Sequence, residues 1–143
     1  MIAIDTNLLV YAHRAGTAEH RAAREAIERA ARGPGGFGFA LASICEFWSV
    51  VTHRASSGRP STAREAAGFI EALVVDGRAE VFTPGPGFAD RLLKLAEQLD
   101  LEGARVFDLQ IGLVALEAGA AEIWTHDRRF TEQPGLAVRD PLR

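Results

Sequence analysis

The sequence contains few of the residues that crosslink a chain and lacks the apolar runs that cross a membrane. Its 143 residues include a single cysteine, Cys45, which excludes a disulfide framework and every cysteine-based zinc site. No apolar run approaches the roughly 18 residues that a membrane span requires. Residues 1–5 also lack the basic segment of a signal peptide. We therefore expect a cytoplasmic protein with no membrane contact, in which Cys45 lies in the core.

An excess of basic residues is also missing. The chain has 16 Lys+Arg against 19 Asp+Glu, a net charge of −3, and its only lysine is Lys94. A protein that coats nucleic acid with positive charge is therefore disfavoured. The length and the hydrophobic share of 48% are typical of a globular protein, and we expect one domain over residues 1–143.

Short apolar runs alternate with longer helical patterns along the chain. The runs predict strands at residues 2–4, 37–41, 79–83, 122–125 and 136–138, with a loop at residues 56–60. Because long helical segments separate the strands, the sequence predicts an α/β domain with a mainly parallel sheet and helices on both faces. Polar residues predict the helix starts: Thr6 or Asn7 as one cap, Ser43 as another, and a capping box within residues 61–65.

Four acidic residues fall where a parallel sheet binds its ligands, at the carboxyl ends of the strands. Asp5 follows the first predicted strand and Asp127 follows the fourth. Glu46 lies one turn into the helix after the second strand, and Asp108 lies near the start of the helix before the fourth strand. The topology can therefore bring all four carboxylates to one edge of the sheet.

Each acid also has a purely structural explanation. Asp5 and Asp108 could cap helices, and Asp127 could be a turn residue or pair with a neighbouring arginine. Glu46 is harder to explain in this way, because its helical neighbours are apolar and a half-buried carboxylate needs a partner. A shared cation explains the four acids together better than four separate explanations do.

Carboxylates and water are the ligands that Mg²⁺ and Mn²⁺ select. Such a cation stabilises charge on phosphate oxygens and activates a bound water for attack. The acids therefore predict metal-assisted phosphoryl transfer. The specific reaction expected is hydrolysis of a phosphodiester, in which the metal ion joins the polyanionic substrate to the acidic cleft.

Four short motifs in this order give the chain a family resemblance. They are Asp5-Thr6-Asn7, the isolated Glu46, Val-Phe-Asp108-Leu, and Trp-Thr125-His-Asp127-Arg-Arg-Phe130. The chain resembles the PIN-domain ribonucleases, and among them the VapC-type toxins of bacterial toxin–antitoxin pairs. The resemblance covers essentially the whole chain and implies a three-layer α/β/α PIN-like domain with a mainly parallel central sheet of about five strands.

The resemblance also implies roles for individual residues. It implies that the catalytic acids are Asp5, Glu46, Asp108 and Asp127, that Asp5 and Asp108 hold Mg²⁺ (or Mn²⁺), and that the supporting polar residues are Thr6, Asn7 and Thr125. It further implies an endoribonuclease acting on structured RNA such as tRNA or rRNA, a homodimer, and a cognate VapB-type antitoxin whose C-terminal segment covers a groove near the active site. The residues that could contact RNA at the rim of the cleft are His126, Arg54, Arg59, Arg128 and Arg129.

Two alternatives come from other functional classes. A haloacid-dehalogenase-like phosphatase also begins with an aspartate after its first strand, but it requires a second aspartate where this chain has Asn7, and a well-placed lysine where only Lys94 exists. A non-catalytic PIN-like binding module would use the acids for packing and capping alone, and it predicts no metal dependence.

Overall fold

Five short strands form one parallel sheet in the computed structural model, which describes residues 1–56 and 58–143. Ser57, which was predicted to lie in a loop, is outside the described residues. The strands are β1 (Ile2–Ile4), β2 (Phe37–Ala40), β3 (Glu80–Phe82), β4 (Glu122–Trp124) and β5 (Ala137–Arg139), in the spatial order β3-β2-β1-β4-β5. The predicted strands and their parallel arrangement are confirmed, with ends that differ by at most one residue.

Helices cover both faces of this sheet. In the described residues they are α1 (Thr6–His13), α2 (His20–Arg32), α3 (Leu41–Val51), α4 (Ala63–Val75), α5 (Phe88–Gln98) and α6 (Arg105–Glu117). The chain runs from β1 to β3 in one direction and then crosses back to β4 on the other side of β1. Right-handed crossovers in opposite directions place their helices on opposite faces. Helices α1 to α4 accordingly share one core, and α5 and α6 line the other.

The strands supply side chains alternately to the two cores. Ile4 of β1 belongs to the core under α1 to α4, whereas its neighbour Ala3 belongs to the core under α5 and α6. This alternation on a sheet covered on both sides explains why the strands read as short, almost continuous apolar runs. In residues 1–56 and 58–143, no helix combines the length and hydrophobicity needed to span a bilayer.

Two of the predicted helix caps are wrong. Asp5 caps α1, rather than Thr6 or Asn7, and its Oδ1 accepts a hydrogen bond from the Thr6 backbone N at 2.8 Å. Helix α3 begins at Leu41, directly after β2 and without a loop, so Ser43 lies inside the helix. Its buried Oγ has no hydrogen-bond partner in the described part of the chain. The Thr62 and Glu65 capping box of α4 is confirmed.

Cys45 is exposed, so the prediction that it lies in the core is wrong. It shares the outer face of α3 with Leu41 and Trp48, which are 46% and 38% exposed, while Phe47 and Val51 are buried. Helix α3 is apolar on almost all sides, and its sequence alone therefore does not distinguish the inner face from the outer one.

Candidate active site

The candidate site lies where the strand order reverses, between β1 and β4. Open parallel sheets bind ligands in the crevice at such a switch point, beyond the carboxyl ends of the strands. Asp5 follows β1 directly, and its backbone N donates to the carbonyl of Trp124 at 3.0 Å. Thr125 follows β4 in the same way. The two strand ends thus place Asp5 and the segment from Thr125 side by side.

Asp5 is buried and held by three donors. Its Oδ1 accepts from the Thr6 backbone N, and its Oδ2 accepts from Thr125 Oγ1 at 2.7 Å and from Asn7 Nδ2 at 3.1 Å. Burial raises the pKa of Asp5 to about 6; the hydrogen bonds from Thr125 and Thr6 oppose this rise, and the nearby Asp108 and Glu46 add to it. The carboxylate is therefore fixed in orientation but costly to ionise, which favours a compensating cation.

A small polar network joins the ends of β1 and β4. The Asn7 amide donates to both Asp5 and Thr125, the latter at 2.8 Å, and its Oδ1 accepts from the His126 backbone N at 3.0 Å. Thr125 Oγ1 also accepts from the Asp127 backbone N at 3.1 Å. The three polar residues expected to support the acids therefore all contact at least one of them, since Thr6 contacts both Asp5 and Glu46.

Glu46 enters the site from α3. It is partly buried, as predicted, and its Oε2 accepts from Thr6 Oγ1 at 2.8 Å. Thr6 thus bridges two of the acids, because its backbone N binds Asp5 and its hydroxyl binds Glu46. A partly buried carboxylate with one neutral donor leaves acceptor capacity for a ligand.

Asp108 lies in the first turn of α6, but it is not the helix cap, which is Ala104. Its Oδ2 accepts from the backbone N of Thr131 at 3.3 Å and from Thr131 Oγ1 at 3.5 Å. Burial raises the pKa of Asp108, the backbone hydrogen bond from Thr131 opposes this rise, and the charge of Asp127 adds to it. Asp127 itself is exposed, and its Oδ1 accepts from the Arg129 backbone N at 2.9 Å, as in an Asx turn.

The four acids line one cleft of about 320 Å³. Its other lining residues are Thr6, Asn7, Val10, Tyr11 and Val50. The carboxylate oxygens of the four acids are ligands that suit a hard cation such as Mg²⁺ or Mn²⁺. Within the described residues, no set of three His, Cys, Asp or Glu side chains is arranged to hold a metal ion unaided. Mg²⁺ commonly takes only one or two protein carboxylates and completes its shell with water, so the Asp5 and Asp108 carboxylates still fit it.

The residues proposed as RNA contacts have different surroundings. Arg128 and Arg129 are exposed on the turn that carries Asp127. His126 is held by Asp140, with 2.9 Å between His126 Nδ1 and Asp140 Oδ2. Arg59 forms an ion pair with Glu65 at 2.8 Å, at the start of α4. The two arginines of the turn are therefore the best placed beside the acids.

Sequence reasoning missed Thr131, Tyr11 and Asp140. Thr131 contacts Asp108, which lies 23 residues earlier in the chain, and the sequence around Thr131 does not predict this contact. Tyr11 lines the cleft, and its ring meets His126 edge-on with 6.1 Å between the ring centroids. Of the three, only Tyr11 could have been predicted to lie near the site, because it is one turn after Asn7 on the same helix.

Comparisons with known proteins show which family the sequence matches. The family model described as "PIN domain" matches residues 2–136. Ribonuclease VapC43 of Mycobacterium tuberculosis is 32% identical over 142 residues, covering 99% of this chain and 96% of the relative. Ribonuclease VapC48 of the same species is 28% identical over 138 residues, covering 96% and 95%.

Solved structures share the fold. The structure of M. tuberculosis VapC20, a Sarcin-Ricin loop cleaving toxin, has a TM-score of 0.67 at 18% identity and covers 91% of this chain and 92% of its own. The structure of VapBC-1 from nontypeable Haemophilus influenzae has a TM-score of 0.67 at 20% identity and covers 100% of both chains.

Proposed function

Because the chain belongs to the PIN-domain family and its relatives include VapC ribonucleases, we propose that it is a divalent-cation-dependent endoribonuclease, the toxin of a type II toxin–antitoxin pair. The observation that carries this proposal is the cleft at the switch point of the sheet. It is lined by Asp5, Glu46, Asp108 and Asp127, and their neutral hydroxyl, amide and backbone donors hold them without neutralising them. Family membership sets aside the dehalogenase-like alternative.

The residues divide into two groups in this proposal. Asp5 and Asp108 would hold Mg²⁺, for which Mn²⁺ can substitute. When bound, the cation supplies charge stabilisation at the phosphate and a more acidic water. Glu46 and Asp127 remain to orient the attacking water and to accept its proton. Thr6 keeps Glu46 next to Asp5, so that the water and the scissile phosphate meet in one place.

Purified protein incubated with total cellular RNA tests the proposal. We expect discrete fragments with Mg²⁺ or Mn²⁺, none in EDTA, and recovery when the cation is restored. Asp108→Asn should lower the cleavage rate by at least about 100-fold, because it removes a carboxylate expected to hold the cation. Induced expression should arrest growth for the wild type and not for this variant.

Asp90→Asn is the matched control, since Asp90 is an exposed aspartate in the first turn of α5, outside the cleft. It should cleave like the wild type. Cleavage that persists in EDTA, or equal rates for the two variants, would contradict the proposal. Absence of cleavage under every cation condition would favour the non-catalytic binding module.

We infer that the substrate is structured cellular RNA, tRNA or rRNA, and hence that the protein acts in the cytoplasm. Arg128 and Arg129 support this inference, because both are exposed next to Asp127 and arginine binds phosphate in a bidentate fork. They would position RNA by its backbone rather than read its bases.

We also propose two protein partners, a VapB-type antitoxin and a second copy of this chain. The structural match to VapBC-1 supports a VapB-type antitoxin. A homodimer is supported by the exposed apolar residues on the outer face of α3, Leu41 and Trp48. Expression together with a small neighbouring reading frame should relieve growth arrest if that frame encodes the antitoxin.

A further inference from the structure

The chain that follows Asp127 lies along one face of α6. Asp108, Gly112 and Leu116 are spaced by four residues and therefore occupy successive turns of the same helix face. Residues 131–136, here called the 131–136 segment, lie beside all three positions. Thr131 contacts Asp108, the side chains of Gln133 and Leu136 lie where Gly112 lacks a side chain, and a Cβ at Gly135 would lie 3.5 Å from Leu116 Cδ1.

The second half of this segment is a tight turn. Gln133 and Leu136 form an isolated antiparallel bridge, with the Leu136 backbone N 3.5 Å from the Gln133 carbonyl. Pro134 restricts its own backbone φ angle at the first central position of the turn. Gly135, at the second central position, has a φ of +88°, which a residue with a side chain rarely adopts. Proline and glycine at these two positions are typical of a type II turn. The turn thereby brings Gln133 and Leu136, its first and last residues, together beside α6.

The side chains of Gln133 and Leu136 occupy the space that a side chain at Gly112 would fill. A Cβ at Gly112 would overlap Gln133 Nε2, and it would lie 3.1 Å from Gln133 Cδ and 3.3 Å from Leu136 Cδ2. Gln133 is only 6% exposed, so its side chain has little room to move aside. Neither its amide N nor its amide O has a hydrogen-bond partner in the described residues, so packing rather than hydrogen bonding holds the side chain.

We propose that the 131–136 segment positions the Asp108 carboxylate for cation binding, with Gly112 as the surface on which the segment packs and Thr131 as the positioning residue. Two donors of Thr131 hold Asp108 Oδ2, and their location depends on how deeply the turn sits against Gly112. The proposal rests on the proposed function, because it concerns a carboxylate assigned there to the cation. Partners of metal-binding residues typically influence metal affinity or activity by about 10- to 100-fold.

Mn²⁺ binding to the whole protein, measured by calorimetry without RNA, tests the proposal. Gly112→Ala should weaken Mn²⁺ binding by about 10-fold and slow RNA cleavage by a similar factor. The matched control is Gly68→Ala in α4, where an added Cβ meets nothing within 4 Å. Gly68→Ala should bind Mn²⁺ like the wild type.

Rescue separates positioning from general damage. Gln133→Ala added to Gly112→Ala makes room for the new methyl group, and the double variant should recover Mn²⁺ affinity to within about threefold of the wild type. If Gly112→Ala fails to fold, Thr131→Val and Thr131→Ser decide instead. The valine removes the hydroxyl bonded to Asp108 and should weaken Mn²⁺ binding severalfold, whereas the serine keeps the hydroxyl and should not.

The outcomes distinguish this proposal from the ribonuclease proposal. Mn²⁺ binding by Gly112→Ala equal to that by Gly68→Ala, or a double variant no better than the single one, would overturn the positioning role. If Gly112→Ala does not fold, equal binding by the two Thr131 variants would overturn it. A wild type that binds Mn²⁺ but cuts no RNA would overturn only the ribonuclease assignment. A wild type that binds no Mn²⁺ would overturn both.

Discussion

Asp5 is both a helix cap and a buried residue, and these two conditions place opposite demands on its charge. As the cap of α1 it accepts a backbone hydrogen bond, which favours the ionised form. Its burial at 5% exposure disfavours that form, and burial dominates, so its pKa rises to about 6. The capping and cation-binding explanations of Asp5 are therefore compatible, and the same side chain can serve both.

This raised pKa predicts a pH-dependent stability difference between the wild type and Asp5→Asn. Folded Asp5 keeps its proton up to about pH 6, whereas the unfolded chain releases it near pH 3.8. Between these values the folded state binds more protons, so the free energy of unfolding falls as pH rises. Asparagine does not titrate, so Asp5→Asn should gain up to about 3 kcal/mol relative to the wild type between pH 4 and pH 7.

Urea unfolding at several pH values in EDTA measures this difference. EDTA is needed because a cation that binds only the folded state would itself stabilise the wild type. Parallel stability curves for the two proteins across this range would show that Asp5 titrates normally.

The four acids were expected at one edge of the sheet for strong local reasons, and the structure brings all of them to one cleft. Asp5 and Asp127 follow strand ends, and Glu46 and Asp108 lie on largely apolar helices. Thr131 was missed because its contact with Asp108 depends on the path of a later segment. Cys45 was assigned to the wrong side because α3 has too few polar residues to mark its outer face.

Among the secondary-structure elements, β2 and α3 show how a junction without a loop misleads sequence analysis. The helix starts at Leu41, directly after the strand ends, and its cap Ala40 makes no side-chain hydrogen bond, so no polar residue marks the start. Ser43 lies within the first turn. The strands themselves were predictable because apolar runs end in glycine, proline or polar residues. Their spatial order was not, because it depends on pairing between distant segments.

Gly38 gives a prediction for the contact between β2 and β3. A Cβ at this position would overlap the Glu80 carbonyl and lie 2.6 Å from Phe82 Cζ. Gly38→Ala should therefore lower the free energy of unfolding by about 1–3 kcal/mol through overpacking. Gly68→Ala, in open space within α4, should instead raise it by about 0.5–1 kcal/mol, because alanine favours helix.

Chemical denaturation of both glycine variants checks this prediction. We expect Gly38→Ala to lower the free energy of unfolding and Gly68→Ala to raise it, although both replace glycine with alanine. Equal changes in the free energy of unfolding for the two variants would show that β3 moves to accommodate the extra methyl group without an energetic cost.

For the molecule as a whole, the net charge of −3 largely reflects the acidic cleft. Without the four acids of the cleft, 15 acidic residues remain against 16 basic ones, so the rest of the protein is nearly neutral. Its contact with RNA should therefore depend on the bound cation and on shape more than on bulk charge.

Filter binding with a Glu46→Gln variant, designed to be inactive, tests this expectation. RNA affinity should fall at least about tenfold when EDTA replaces Mg²⁺, and it should depend only weakly on salt because few phosphates are neutralised. Tight binding in EDTA with a steep salt dependence would point to a basic RNA surface instead.

The hydrogen bond between Thr125 and Asp5 joins residues 120 positions apart, and the Thr131 contact with Asp108 comes later still in the chain. During translation, Asp5 leaves the ribosome early but lacks its hydroxyl partner until β4 and the residues after it have been made. A nascent chain that ends before Thr125 therefore has no assembled cleft. The proposed ribonuclease activity would therefore be acquired only late in the protein's own synthesis.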